Sequence, residues 1–147
     1  MQKRKQCPDA CPEIEADSSS GFGKGLLGLS GLTSPIFVKK QWGYERIYQN
    51  NSLYCMKSLT IFPNCSTSMH FHLDKHETLL NITHGLLMVD IIRDKVETTV
   101  EVRPFKSYVI APGLPHRLRA GNKLIKLIES STPSKDQDSI RLPYERN

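Results

Sequence analysis

The residues with most chemical promise sit in one short stretch. Four of the five histidines, His70, His72, His76 and His84, fall within fifteen positions of one another. The densest feature is His70-Phe71-His72. In a β-strand, residues two apart point to the same face. Both imidazoles then project to one side, with Phe71 on the other. Two imidazoles on one face begin a metal site. Glu77 follows the polar turn Leu73-Asp74-Lys75, and a hairpin of that length returns the chain beside the first strand. His116 opens a later strand, directly after Pro112-Gly113-Leu114-Pro115. Each residue alone is ordinary. Together, His70, His72, Glu77 and His116 predict a site for one divalent metal ion (Zn, Mn, Fe, Co or Ni). Three imidazoles and one carboxylate leave positions open for water or substrate, as in a catalytic centre.

The elements that position these residues read as strands. From residue 35 onward, short β-rich runs alternate with turn residues, the pattern of an all-β sandwich or barrel. The expected strands are Tyr44–Tyr48, Leu53–Phe62, Ser66–His72, Thr78–Thr83, Leu86–Ile92, Val96–Val102, Ser107–Ala111, His116–Arg119 and Leu124–Glu129. Asn64 suits a left-handed turn, and Arg93-Asp94-Lys95 suits a polar hairpin. No stretch has the period of a long amphipathic helix. Residues 1–34 differ: they hold Pro8, Pro12, a Ser18-Ser19-Ser20 run and five glycines from Gly21 to Gly31. Glycine at that density disfavours helix and strand, so a flexible N-terminal extension is expected. Residues 35–131 form the barrel, and 132–147, with two prolines and many charges, form a loosely packed C-terminal tail.

Bulk properties narrow the function. The chain has 147 residues, enough for one domain with irregular flanks. Its net charge is +5 at pH 7, but lysines and arginines are scattered. That argues for solvated surface charge and against nucleic acid. A positive potential also suits an anionic small molecule such as a sugar phosphate. The four cysteines make neither a zinc ribbon nor a disulfide framework. No apolar run is long enough to span a membrane, and no signal peptide is visible, so a cytoplasmic setting is expected.

Here the motifs resemble a known family. HFHLDKHETLLNITHG (70–85) resembles the first motif of the cupins, and PGLPH (112–116) the core of the second. The resemblance spans roughly 37–131. It implies a cupin jelly-roll barrel with a His/His/Glu/His metal centre. One extra residue separates Glu77 from Gly85 relative to the usual spacing, which predicts a bulge near Thr83-His84. More narrowly, KKQWGYERIY (39–48), MKSLTIFPNCSTSMHFH (56–72) and APGLPHRL (111–118) look like the cupin module of type II mannose-6-phosphate isomerases. Asp138-Ser139-Ile140-Arg141-Leu142 also suits those proteins. That likeness implies a sugar-phosphate substrate, isomerase or epimerase chemistry and a homodimer.

Isomerisation moves a proton between adjacent carbons, so it needs a base within reach. His84, His76 and carboxylates near the barrel mouth are candidate bases. Lys57 and Arg117 are candidate phosphate ligands, although Arg117 alternates away from His116. Two alternatives share this ligand set: an Fe(II)-dependent dioxygenase, and a non-catalytic module that binds a sugar or another small molecule.

Overall fold

Alternation of apolar and polar residues dictates a two-faced sheet, and that is how the chain folds. The computed structural model describes residues 31–143. These form eleven strands and one 3-10 turn. The strands are β1 (Ile36–Lys40), β2 (Gly43–Asn50), β3 (Cys55–Ile61), β4 (His70–His72), β5 (Glu77–Asn81), β6 (Leu87–Arg93), β7 (Val96–Val102), β8 (Ser107–Ile110), β9 (His116–Ala120), β10 (Ile125–Ser131) and β11 (Ser139–Arg141). Strand order is β1-β2-β3-β10-β5-β8 in one sheet and β11-β4-β9-β6-β7 in the other. Every pairing is antiparallel, giving the expected jelly roll. Among the described residues, no helix is long and apolar enough to cross a membrane.

Inward-facing residues divide the interior into two ends. Leu59, Ile61, Leu87, Val89, Leu118, Ala120, Ile125 and Leu127 are buried in one hydrophobic cluster. Further along the same strand faces come Cys55 and Lys57 on β3, Glu129 and Ser131 on β10, and His116 on β9. The barrel is therefore filled with hydrocarbon at one end and lined with polar groups at the other.

Gly43 makes the entry to β2 possible. Its φ is +146°, and a Cβ there would lie 1.9 Å from the Thr60 carbonyl oxygen. Both expected turns occur: Asn64 has φ 62°, and Asp94 and Lys95 have φ 50° and 65°. Positive φ at both central residues is the geometry of a tight two-residue hairpin.

Four expectations need correction. The third strand starts at Cys55, not Leu53, because Asn51 Oδ1 accepts the Leu53 and Tyr54 backbone N–H groups at 2.8 and 3.0 Å and curls the chain. Of Ser66–His72, only His70–His72 is a strand, with Ser66 making an isolated bridge to Arg119. No bulge forms at Thr83-His84. The chain leaves its ladder after Asn81, and the extra residue lies in the connection to β6. The Asn81 side chain ties that loop, donating to Gly85 and Val102 carbonyls and accepting from Thr83. Finally, residues 132–143 are not loosely packed. Asp136–Asp138 make the 3-10 turn, Asp138 is buried, and β11 pairs with β4. The N-terminal extension lies outside the described residues, apart from its last four positions.

Candidate metal centre

β4 carries His70 and His72 on one face, and its neighbour β9 places His116 opposite His70. Ring centroids are 4.4 Å apart for His70 and His116, 5.1 Å for His70 and His72, and 5.9 Å for His72 and His116. One nitrogen from each ring lies within 4.8 Å of the others. Glu77, at the start of β5, faces the same point. Its Oε1 is 3.6 Å from His72 Nε2 and its Oε2 is 3.3 Å from His116 Nε2.

The rings are oriented from behind. Nδ1 of His70 lies 2.8 Å from the Ser68 carbonyl oxygen, and Nδ1 of His116 lies 2.9 Å from that of Leu114. A proton donated to a carbonyl from Nδ1 leaves Nε2 with its lone pair free. The Pro112-Gly113 turn sets the second of these contacts. Gly113 takes φ 77°, donates its N–H to the His72 carbonyl at 2.6 Å, and so brings Leu114 under His116. His72 Nδ1 faces Asp138 Oδ2 at 3.5 Å.

The donor set fits a divalent ion. Glu77 Oε2 and His72 Nδ1 are buried side-chain atoms without a hydrogen-bond partner. An unpaired buried carboxylate oxygen is costly unless something cationic meets it. Burial, with the neighbouring His116, pushes His70 down to about 4. Burial also lowers His72. Both rings are thus neutral, the ligating form, at ordinary pH. Burial alone would raise Glu77. The His116 imidazole and the Lys75 ammonium outweigh it and hold the carboxyl well below the usual range.

Beside the imidazoles runs a ladder of alternating charge. Lys75 Nζ, 1% exposed, donates to Glu77 Oε1 at 2.7 Å and also contacts Glu129 Oε1. Lys57 Nζ lies 3.4 Å from Glu129 Oε2 and 3.9 Å from Glu45 Oε2. Lys40 closes the series at 3.8 Å from Glu45. Burial would strip the proton from Lys75, but the Glu129 and Glu77 carboxylates raise its affinity above that of a free lysine. Burial lifts Glu129 above the usual carboxylate range, with Lys57 and Lys75 opposing. The imidazoles, Glu77, Lys57, Lys75 and Glu129 all line one cavity of about 890 Å³, with Trp42 and Leu59 on its wall.

The structure therefore brings His70, His72, Glu77, His116 and Lys57 together. It does not bring in the other candidates. Arg117 projects to the outer face, where it donates to Asp90 at 2.8 Å and Glu97 at 2.9 Å. Strand parity is the reason, since His116 points inward. His84 lies in the loop after β5, 5.5 Å from the Phe105 ring, and lines a separate cavity of about 370 Å³. His76 is exposed beside Thr132. Sequence reading missed Lys75, Glu129 and Asp138. Glu129 carried a signal: it continues the inward parity of Ile125 and Leu127.

Fold and site together define a cupin. A family model described as D-lyxose isomerase matches residues 20–133, and the chain belongs to that family. No curated protein matches it by sequence. Among solved structures it is similar to the capsular polysaccharide assembling protein CapF from Staphylococcus aureus, at TM-score 0.64 and 14% identity over 76% of this chain and 33% of that one. It is also similar to oxalate decarboxylase from Bacillus subtilis, at TM-score 0.65 and 15% identity over 77% of this chain and 33% of that one. A third is an oxalate oxidase in complex with the substrate analogue glycolate, at TM-score 0.53 and 20% identity over 61% of this chain and 46% of that one. The chain spans about a third of the length of the first two. Identities this low carry the fold alone.

Proposed function

We propose that the protein is a metal-assisted sugar isomerase that interconverts an aldose and a ketose, a sugar phosphate among its candidate substrates. One observation carries this reading. In a chain of a sugar-isomerase family, a ligand cluster and a Lys57–Glu129 ion pair open into the same cavity. His70, His72, His116 and Glu77 would hold the ion, which when bound would supply Lewis-acid polarisation of the carbonyl and its neighbouring hydroxyl.

The remaining chemistry belongs to side chains. Glu129 takes the proton from C2 of the aldose, and the freed electron pair becomes the C1–C2 double bond of an enediol. Lys57 gives a proton to the former carbonyl oxygen. Glu129 then returns its proton to C1, while the C2 hydroxyl loses its own to Lys57 and becomes the new carbonyl. The sum is one proton moved from C2 to C1 and one from the C2 oxygen to the C1 oxygen. Burial suits Glu129 to the task, because a base works best with its pKa raised toward the working pH. Lys75 bridges Glu77 and Glu129 and screens their repulsion, leaving one carboxylate to hold the ion and the other to handle the proton.

The test is ketose formation from a panel of aldoses and aldose phosphates, with Mn, Zn, Co or Fe restored to the purified protein. Turnover of at least one pair supports the assignment. Oxygen uptake without ketose formation replaces it with the dioxygenase reading.

A further inference from the structure

The cavity continues past the Lys57–Glu129 pair, along the inner face of β2 and β1. Residues directly opposite each other in an antiparallel pair share a face. Lys57 stands opposite Ile47, and Ile47 opposite Ile36. Leu59 stands opposite Glu45, and Glu45 opposite Val38. All of them therefore face the same side as Lys57. β2 and β1 add two strand spacings beyond β3, about 10 Å of inward-facing surface. Val38, Lys40, Trp42, Glu45 and Ile47 line the cavity along this wing.

The wing is built like a binding surface. Val38 and Ile47 are half-buried, and Ile36 at its edge is 55% exposed. Trp42 packs against the hydrophobic cluster and borders the cavity. Lys40 and Glu45 supply the polar groups. Their separation of 3.8 Å is too long for a hydrogen bond, so both heads keep capacity for a ligand. Apolar walls with a few convergent polar groups are the make-up of a small-molecule site. Size agrees. The cavity of about 890 Å³ lies toward the upper end of the usual range for ligand pockets, about 300–1,000 Å³. A single sugar reacting between the imidazoles and Glu129 would leave the wing unfilled.

We infer that the wing binds a second sugar ring, so that the substrate is a reducing disaccharide or a longer glycan. A pyranose is amphipathic: its C–H face is apolar and its rim carries hydroxyls. The C–H face lies on Trp42, Val38 and Ile47. Lys40 donates to ring hydroxyls, which in turn donate to Glu45. The reacting unit must keep C1 and the C2 hydroxyl free, so the second ring is joined through a hydroxyl beyond C2. This rests on the isomerase reading and extends it to substrate size.

The experiment compares kcat/KM for aldoses with that for disaccharides carrying the same aldose at the reducing end. The metal-loaded proteins are wild type, Val38→Arg, Lys40→Gln and a Lys95→Gln control in the remote β6–β7 turn. Wild type prefers the disaccharide about tenfold or more, and Val38→Arg, which fills the wing, removes that preference. Lys40→Gln lowers it about three- to tenfold, and Lys95→Gln leaves it unchanged. The inference is overturned if wild type uses the aldose as well as the disaccharide, or if Lys40→Gln and a folded Val38→Arg both keep the preference. A fall in oligomeric state of Val38→Arg by light scattering, with the preference intact, assigns the wing to a second copy of the chain and also overturns it. Should no sugar be isomerised, the isomerase reading fails separately. Calorimetric titration then decides the inference. Disaccharide binding about tenfold tighter than aldose binding, and weakened by Lys40→Gln, supports it; equal or no binding sinks it.

Discussion

Asp138 links the C-terminal segment to the candidate metal centre, and its replacement separates structural from functional roles. Its Oδ1 accepts the Asp74 N–H at 2.8 Å, its Oδ2 accepts the Lys75 N–H at 3.2 Å, and the same Oδ2 faces His72 Nδ1 at 3.5 Å. Asp138→Ala removes all three contacts. Lys75 is buried, so its stranded N–H costs about 1–3 kcal/mol, and the more exposed Asp74 N–H about 0.5–1.5 kcal/mol. The sum, about 1.5–4.5 kcal/mol, lowers Tm by roughly 6–18 °C in a domain of this size. The functional effect is separate. At 3.5 Å, Asp138 Oδ2 is too far from His72 Nδ1 for a hydrogen bond. A contact that closes when an ion binds would orient the imidazole, and its loss would weaken ion binding about 10- to 100-fold. Asp138→Asn offers one strong acceptor where Asp138 offers two, so it retains more stability while still loosening His72. The assay pairs thermal denaturation of metal-free protein with competition against a chromophoric chelator. A melt lowered as stated, with ion affinity unchanged within about threefold, refutes the orienting role and leaves Asp138 a purely structural residue.

Further outcomes follow from the same geometry. Lys57→Met lowers kcat by about 10²–10⁴-fold with little change in ion affinity, read by steady-state kinetics and metal titration. Asp90→Ala leaves Arg117 and Arg119 facing no buried carboxylate and costs about 3–5 kcal/mol in chemical denaturation. Burial would raise Asp90, but bonds from Arg119, Thr99 and Arg117 prevail and hold it well below the ordinary aspartate range. Its stabilising effect is therefore complete above the unfolded aspartate pKa of about 3.9 and is lost only as pH falls through the lower folded value. Gly43→Ala forces a Cβ into the Thr60 carbonyl at positive φ and costs more than about 3 kcal/mol, seen as loss of soluble folded protein.

What could be read from sequence was whatever depends on local spacing. His70 and His72 share a face because strand period is two, and Glu77 and His116 sit at strand starts after short turns. Parity likewise placed Lys57 inward and Arg117 outward. What could not be read depends on distant partners. Lys75 looks like a turn residue, and its burial is compensated by Glu77 together with Glu129, fifty-four positions later. β11 is three residues in a charged, proline-flanked stretch, and pairing with β4 alone makes it a strand. His84 lies in the histidine-rich segment, but where the chain leaves β5 decides its position, and the Asn81 side chain sets that point. The narrower likeness pointed to mannose-6-phosphate isomerases. The family shown is also a sugar isomerase, named for a different sugar.

The central claim is that His70, His72, Glu77 and His116 hold a divalent ion required for isomerisation. Elemental analysis of the purified chain beside its His72→Ala variant tests it most directly. The account predicts one tightly held divalent ion per wild-type chain and a large loss of it in the variant, with the variant still folded. Equal metal content in both, or none in a wild-type protein that isomerises sugars after exhaustive chelation, contradicts it.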